Sequence, residues 1–363
     1  MKTSIQIGKI MGIPIRLHIT FLLILPVFAL IFARSEPQFG GFSDVEPELL
    51  RYSLGMAASV LVFTCVLLHE LGHSYVAKKH GTNINNITLF LLGGAASMEE
   101  IPKDPKTEFK MAAAGPAVSL LIGSVLLIIH EISRQELLFQ DSPYMRLVWL
   151  IGYLNIALCI FNLIPAFPLD GGRVLRAWLA GRMSYIKATQ VAAGIGKMFA
   201  IFMGIFGLFS GIIWLTLIAF FIYIGASEEE KSTQVSVILE GVKVKAIMSK
   251  EVRTVSPETT VEELVDIMFK YKHMGYPVMD GSNVKGIVTF TDVQKVIKED
   301  RKNVKVSQIM TKELITARED DDAVTVLKLL TRNSIGRILV KKDKKMIGIV
   351  SRTDVLRAVQ LLE

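Results

Sequence analysis

The stretch His69-Glu70-Leu71-Gly72-His73 decides how the rest of this 363-residue chain is read. Residues four apart share one face of a helix, so both imidazoles can ligate a single metal ion while the Glu70 carboxylate faces the water bound there. Upstream, Gly55 to Leu68 carries no charge, which predicts that the motif lies inside a membrane-spanning helix running from about Leu50 to Ala77. An acidic side chain near the middle of a span costs about 2.5–3.5 kcal/mol, so Glu70 is expected to be functional rather than incidental.

Working outward, the third ligand of such a site must be a distant His, Asp or Glu reaching the same depth. Asp170 is the candidate, in Asn162-Leu163-Ile164-Pro165-Ala166-Phe167-Pro168-Leu169-Asp170-Gly171-Gly172. Pro165 and Pro168 break the helix and let the chain turn back, and the glycine pair permits close backbone packing. The plainer reading of Asp170 is a helix-end cap.

The chain is 51% hydrophobic, with a mean hydropathy of +0.44, and its charge is unevenly spread. Apolar runs fill residues 1–226, whereas Glu228 onward reads as an ordinary soluble protein. The expected division is a membrane domain over 1–226, a linker over 227–241, and two soluble modules over 242–300 and 301–363. The net charge of +7 borders the apolar runs and forms no basic stripe interleaved with aromatics, which excludes nucleic acid as a partner. Cys65 and Cys159 are too few for a disulfide framework and read as packing residues.

Six spans are predicted: Pro14 to Phe32, Leu50 to Ala77, Met111 to Ile129, Leu147 to Ile164, and a pair between Ala188 and Tyr223 that bends near Gly207 to Gly211. The first is too long, and lacks the cleavage site, for a removable signal peptide. Ile84 to Met98 is too short to span and reads as a β-hairpin or re-entrant element with a flexible turn at Gly93-Gly94. Lys2, Lys9, Arg16, Lys78, Lys79, Lys103, Lys106, Lys110, Arg173, Arg176, Arg182 and Lys187 fall on one side of this layout, against Arg34, Arg51, Arg134 and Arg146 on the other. The positive-inside rule then makes the N-terminus, the motif end of the second span and the C-terminal modules cytosolic.

The soluble part repeats at an offset of 62 residues: Ile247-Met248 returns as Ile309-Met310, Gly286 to Thr289 as Gly348 to Ser351, and Asp292 as Asp354. Thr260 and Glu263 form a capping-box pair opening a helix, and Tyr276 to Met279 and Val284 to Thr289 alternate as strands around Asp280-Gly281. One asymmetry stands out, Tyr276-Pro277-Val278 in the first copy against Arg337-Ile338-Leu339 in the second.

Taken together, these motifs resemble the site-2 intramembrane zinc metalloproteases, in the subgroup that carries tandem CBS domains (named for cystathionine β-synthase). The resemblance rests on His69 to His73, on Asn162 through Gly172, and on Gly93-Gly94 as the intervening glycine pair. It implies a polytopic α-helical membrane domain of about six transmembrane helices with a short β element, followed by a soluble α/β CBS pair. It also implies one Zn2+ held by His69, His73 and Asp170, Glu70 as general base, and Asn162 placing substrate or stabilising the oxyanion, unless that amide simply bonds to helix backbone. At the CBS pair it implies an adenine nucleotide near Thr289, Thr291, Asp292, Ser351, Arg352, Thr353 and Asp354, unless the pair is a spacer that binds nothing. The implied protein sits in the cell membrane, cleaves transmembrane substrate proteins within the lipid bilayer, and forms a homodimer through its CBS domains. The strand before Gly93 could pair with an unwound substrate. The competing readings are a CBS-regulated channel or transporter and a catalytically inactive membrane receptor. The first would spread charged positions over several spans; here they concentrate at Glu70 and Asp170.

Overall fold

The computed structural model describes residues 4–90, 93–98, 104–135, 142–343 and 345–362. The chain divides into two compact units, Met1–Lys231 and Ser232–Glu363.

The first unit opens with a hairpin, β1 (Ser4–Ile10) and β2 (Ile13–His18), turning at Met11 and Gly12, both with positive φ. His18 ends β2 and caps α1 (Ile19–Arg34), its Nδ1 accepting from the Thr20 backbone N–H at 3.3 Å. The span expected over Pro14 to Phe32 is therefore part strand and part a 16-residue helix. At about 1.5 Å per residue that helix is roughly 24 Å long, short of a hydrocarbon core of about 30 Å.

Next comes α2 (Glu48–Lys79), 32 residues with Glu48 in its first turn and Lys78 and Lys79 in its last, both matched to the helix dipole. It packs closely on α1, where a Cβ added to Gly55 would lie 2.3 Å from the Ala29 carbonyl oxygen. β3 (Ile84–Phe90) and β4 (Gly93–Met98) follow, completing a four-stranded sheet in the order β1-β2-β3-β4. β2 and β3 are parallel, with Ile15 opposite Ile87, and β3 and β4 are antiparallel, with Leu89 opposite Gly94. Gly93 and Gly94 thus begin β4 instead of making the turn. β3 is paired on both sides, so the strand before Gly93 has no edge to offer a substrate; that edge belongs to β4.

Helices α3 (Pro105–Gln135), α4 (Pro143–Asn162), α5 (Asp170–Ala180), α6 (Tyr185–Phe209) and α7 (Ile213–Ile238) complete the unit, α7 running past its boundary. α4 stops at Asn162 because the residue before a proline avoids the helical region and Pro165 cannot donate a helix hydrogen bond. Among the described helices, four are long and apolar enough to cross a membrane: α2, α3, α4 and α6. The sixth expected span occupies the apolar start of α7, which continues into Glu228, Glu229 and Glu230.

The second unit contains two copies of one module. The first has α8 (Val244–Ile247), α9 (Val261–Tyr271), β5 (Gly275–Asp280), β6 (Asn283–Thr289) and α10 (Phe290–Gln294). The second has α11 (Val306–Ile309), β7 (Thr316–Arg318), α12 (Ala323–Arg332), β8 (Arg337–Lys342), β9 (Lys345–Ser351) and α13 (Arg352–Leu362). Thr260 and Glu263 make both hydrogen bonds of the capping box that opens α9. Two apolar cores form, one around Leu264 and Val288 and one around Leu330 and Val350, and the copies exchange their opening helices: Val306 of α11 joins the first core and Val244 of α8 the second. Strand register corrects the internal alignment by one residue. Gly275 pairs with Thr289 as Arg337 pairs with Ser351, so Arg337 stands in the place of Gly275, and Tyr276 answers to Ile338.

Candidate metal centre

Three elements converge on the motif: α2 brings His69 and His73, α3 supports them, and α5 brings Asp170. His69 Nε2 and His73 Nε2 lie 3.1 Å apart, and Asp170 Oδ2 lies 3.2 Å from the first and 3.1 Å from the second. Among the described residues this is the one group of three that could hold a metal ion. Tetrahedral zinc about 2.0–2.1 Å from each donor would hold the donors roughly 3.3 Å apart, so the spacing fits.

The outer ring nitrogens decide which atoms face the centre. His73 Nδ1 donates to the Met111 carbonyl oxygen at 2.7 Å; a carbonyl only accepts, so Nδ1 carries the proton and Nε2 the lone pair. His69 Nδ1 lies 2.9 Å from Ser119 Oγ, the matching arrangement about two turns further along α3. α3 comes this close because residue 115 is glycine: a Cβ there would sit 2.2 Å from His73 Nε2 and 2.6 Å from His69 Nε2. Asp170 is the first residue of α5, whose N-cap is Leu169 with no side-chain capping bond, so its carboxylate meets the imidazoles instead of capping the helix. Gly171 and Gly172 keep that turn tight, since a Cβ on Gly171 would lie 2.2 Å from the Ile164 carbonyl oxygen.

Glu70 is half-buried on the neighbouring face of α2, against β4: a Cβ added to Gly94 would lie 2.5 Å from Glu70 Cγ and 3.3 Å from its Oε1. Asn162 is half-buried at the end of α4, and its Nδ2 donates back to the Leu158 carbonyl oxygen at 3.0 Å, as the plainer reading of that amide expects. Met111, Gly115 and Ser119 were missed from the sequence. Their spacing of four on α3 is the signal that a helix face was being presented to the imidazoles.

In the second unit, Asp292 Oδ2 accepts from the Thr289 backbone N–H at 3.0 Å and from its hydroxyl at 2.7 Å. Asp354 repeats this with Ser351 at 2.8 and 2.7 Å. Thr291, Arg352 and Thr353 are exposed beside these turns, and Arg352 donates to the Ile335 and Leu330 carbonyls. Arg337 Nη1 donates to the Gly275 carbonyl oxygen, and burial pushes its guanidinium below the ordinary arginine range against the opposing pull of Tyr276 and Asp354.

Comparison with known proteins agrees with both halves. Residues 57–136 and 128–206 match the model of peptidase family M50, and residues 244–299 and 306–361 match that of the CBS domain. The zinc metalloprotease MJ0392 of Methanocaldococcus jannaschii is 40% identical over all of this chain and 98% of its own. The chain belongs to peptidase family M50. A solved structure, the site-2 protease from Methanocaldococcus jannaschii, is 43% identical and covers 62% of this chain and 95% of its own at a TM-score of 0.45. A crystal structure of CBSX2 in complex with AMP is 26% identical and covers 34% of this chain and 98% of its own at a TM-score of 0.31. As an M50 member with membrane-length helices, the protein is a zinc metalloprotease that cleaves substrates within the membrane, and the channel and inactive-receptor readings are not favoured.

Proposed function

We propose that His69, His73 and Asp170 hold one zinc ion per chain and that Glu70 is the general base of peptide-bond hydrolysis in transmembrane substrates. The observation that carries this is the convergence of three donor atoms within 3.2 Å on the helix that also carries Glu70. The bound ion supplies a Lewis acid and a water of lowered pKa. Glu70 takes the proton of the attacking water and returns it to the leaving amine. One N–H of the Asn162 amide is committed to Leu158; the other is the donor assigned to the developing oxyanion. A helical peptide hides its carbonyls, so the substrate unwinds and lies as an extended strand along the edge of β4, beside Glu70. The asymmetry of basic residues supports a cytosolic N-terminus and CBS pair in a cell-membrane protein, a topology that counts α1 and the apolar start of α7 as crossings beside the four membrane-length helices.

The test is co-expression of the full-length chain with candidate single-span substrates, as wild type and as Glu70→Gln. Glu70→Gln should keep its zinc and lose cleavage by at least about a hundredfold. Full cleavage by a properly inserted Glu70→Gln variant overturns the mechanism.

For the CBS pair the proposed ligand is an adenine nucleotide, at Thr289, Thr291 and Asp292 in one copy and Ser351, Arg352, Thr353 and Asp354 in the other, with the pair also joining two chains. The supporting feature is the repeated hydroxyl-carboxylate turn at the start of α10 and α13. Calorimetric titration of the full-length protein with ATP, ADP and AMP tests it; no heat from any of the three favours a spacer.

A further inference from the structure

Six residues beyond Asp170, on the same short helix, Arg176 is 1% exposed although it carries a full charge. Its Nε donates to Glu108 Oε1 at 2.7 Å, and Glu108, in the opening turns of α3, is fully buried. Its Nη1 donates to Glu229 Oε1 at 2.8 Å, on α7. The guanidinium also lies 4.9 Å from the ring centroids of Phe167 and Tyr185, one on each side of α5 in sequence.

A buried ion pair is a poor source of stability, because desolvating two charges offsets most of their attraction, and apolar residues of similar volume often do as well. What such a pair supplies is geometry, and an arginine fork supplies more of it than a lysine, because it is planar and binds at several points at once. The positions joined here are informative. Glu108 stands three residues before Met111, whose carbonyl orients His73, on the helix that also presents Gly115 and Ser119 to the imidazoles. Phe167 stands three residues before Asp170, and Arg176 six after it, so the guanidinium holds the ligand-bearing turn from both sides.

We infer that Arg176 is a positioning residue for the metal centre: it ties α5, and with it Asp170, to the α3 face that orients His69 and His73, with Glu229 as the second arm of the brace. The inference rests on the metal-site reading above. Moving one ligand relative to the other two weakens binding at a centre whose donors are only about 3 Å apart, as loss of an orienting group beyond the ligands typically costs 10–100-fold in metal affinity.

The experiment measures zinc affinity of the full-length protein in detergent, by competition with a chromogenic chelator, for wild type, Arg176→Lys and Glu229→Gln. Thermal unfolding of the zinc-free proteins is recorded in parallel. Arg176→Lys keeps the charge and loses the fork; Glu229→Gln changes a partly exposed arm and keeps a hydrogen-bonding oxygen, so it folds even where Arg176→Lys does not. The expected result is a zinc Kd raised about tenfold or more in Arg176→Lys and by a smaller factor in Glu229→Gln, with zinc-free melting of Glu229→Gln unchanged. Unaltered zinc affinity in both variants overturns the brace, as does a loss of affinity that only tracks a fall in zinc-free melting temperature. Wild type that binds no zinc overturns the metal reading itself, and the brace with it.

Discussion

His73 donates its Nδ1 proton to the carbonyl oxygen of Met111 at 2.7 Å, and that one bond settles which face of the ring is free to bind metal. The partner is a backbone group, so no side-chain substitution at position 111 removes it. The equivalent support for His69 is a side chain, Ser119 Oγ at 2.9 Å, and that difference can be tested.

Ser119→Ala should lower zinc affinity about 10–100-fold without abolishing the site, because the imidazole loses its orienting partner but keeps its place. Isothermal competition against a chelator reads this out. Unchanged affinity would show that α2 packing alone orients His69.

Gly115→Ala should abolish metal binding. The new methyl carbon would fall 2.2 Å from His73 Nε2 and 2.6 Å from His69 Nε2, atoms of buried rings that have no room to shift. Metal content of the purified variant, measured by atomic absorption, should be near zero while Gly194→Ala, with open space around its Cβ position, stays at the wild-type value.

Gly94→Ala separates the base from the metal. Its methyl carbon would meet Glu70 Cγ at 2.5 Å and displace a flexible side chain without touching the ligands. Zinc content should hold while kcat drops on the order of a hundredfold, the usual consequence of shifting a reacting group by about 1 Å.

Chelation should stop cleavage reversibly and also lower the melting temperature. A ligand at a hundred times its Kd stabilises the folded state by about 2.7 kcal/mol, so zinc re-addition should restore both activity and melting. Recovery of melting without recovery of cleavage would separate a structural metal from a catalytic one.

In the CBS pair, Asp354→Ala removes the side-chain half of a reciprocal cap: Asp354 Oδ2 accepts from the Ser351 N–H and hydroxyl, while the bond from the Asp354 backbone N–H to Ser351 Oγ at 3.2 Å survives the substitution. Loss of a cap of this kind costs about 1 kcal/mol. Denaturant unfolding of the soluble unit should report that loss whether or not nucleotide is present.

The metal motif was legible because its information is local. His69, Glu70 and His73 need only helical spacing and an uncharged run around them, and Asp170 stood out because prolines and glycines mark a chain that turns back. The CBS repeats were legible for the same reason, since capping, alternation and turn chemistry are set within a few residues. What required the fold is everything that depends on which backbone lies against which. The choice of Met111 and Ser119 as partners, the need for glycine at 115 and the placement of Gly94 in an edge strand against Glu70 are all contacts between residues far apart in sequence. The Arg176 brace belongs with them: Arg176 reads from the sequence as a membrane-border charge, and only tertiary packing joins it to Glu108 and Glu229 on two other helices. The sequence by itself singled out the candidate ligands and base, because those are choices of residue type at a helical period and at a chain turn; the tertiary structure decided tautomer, orientation and clearance, because those follow from the neighbours that long-range packing supplies.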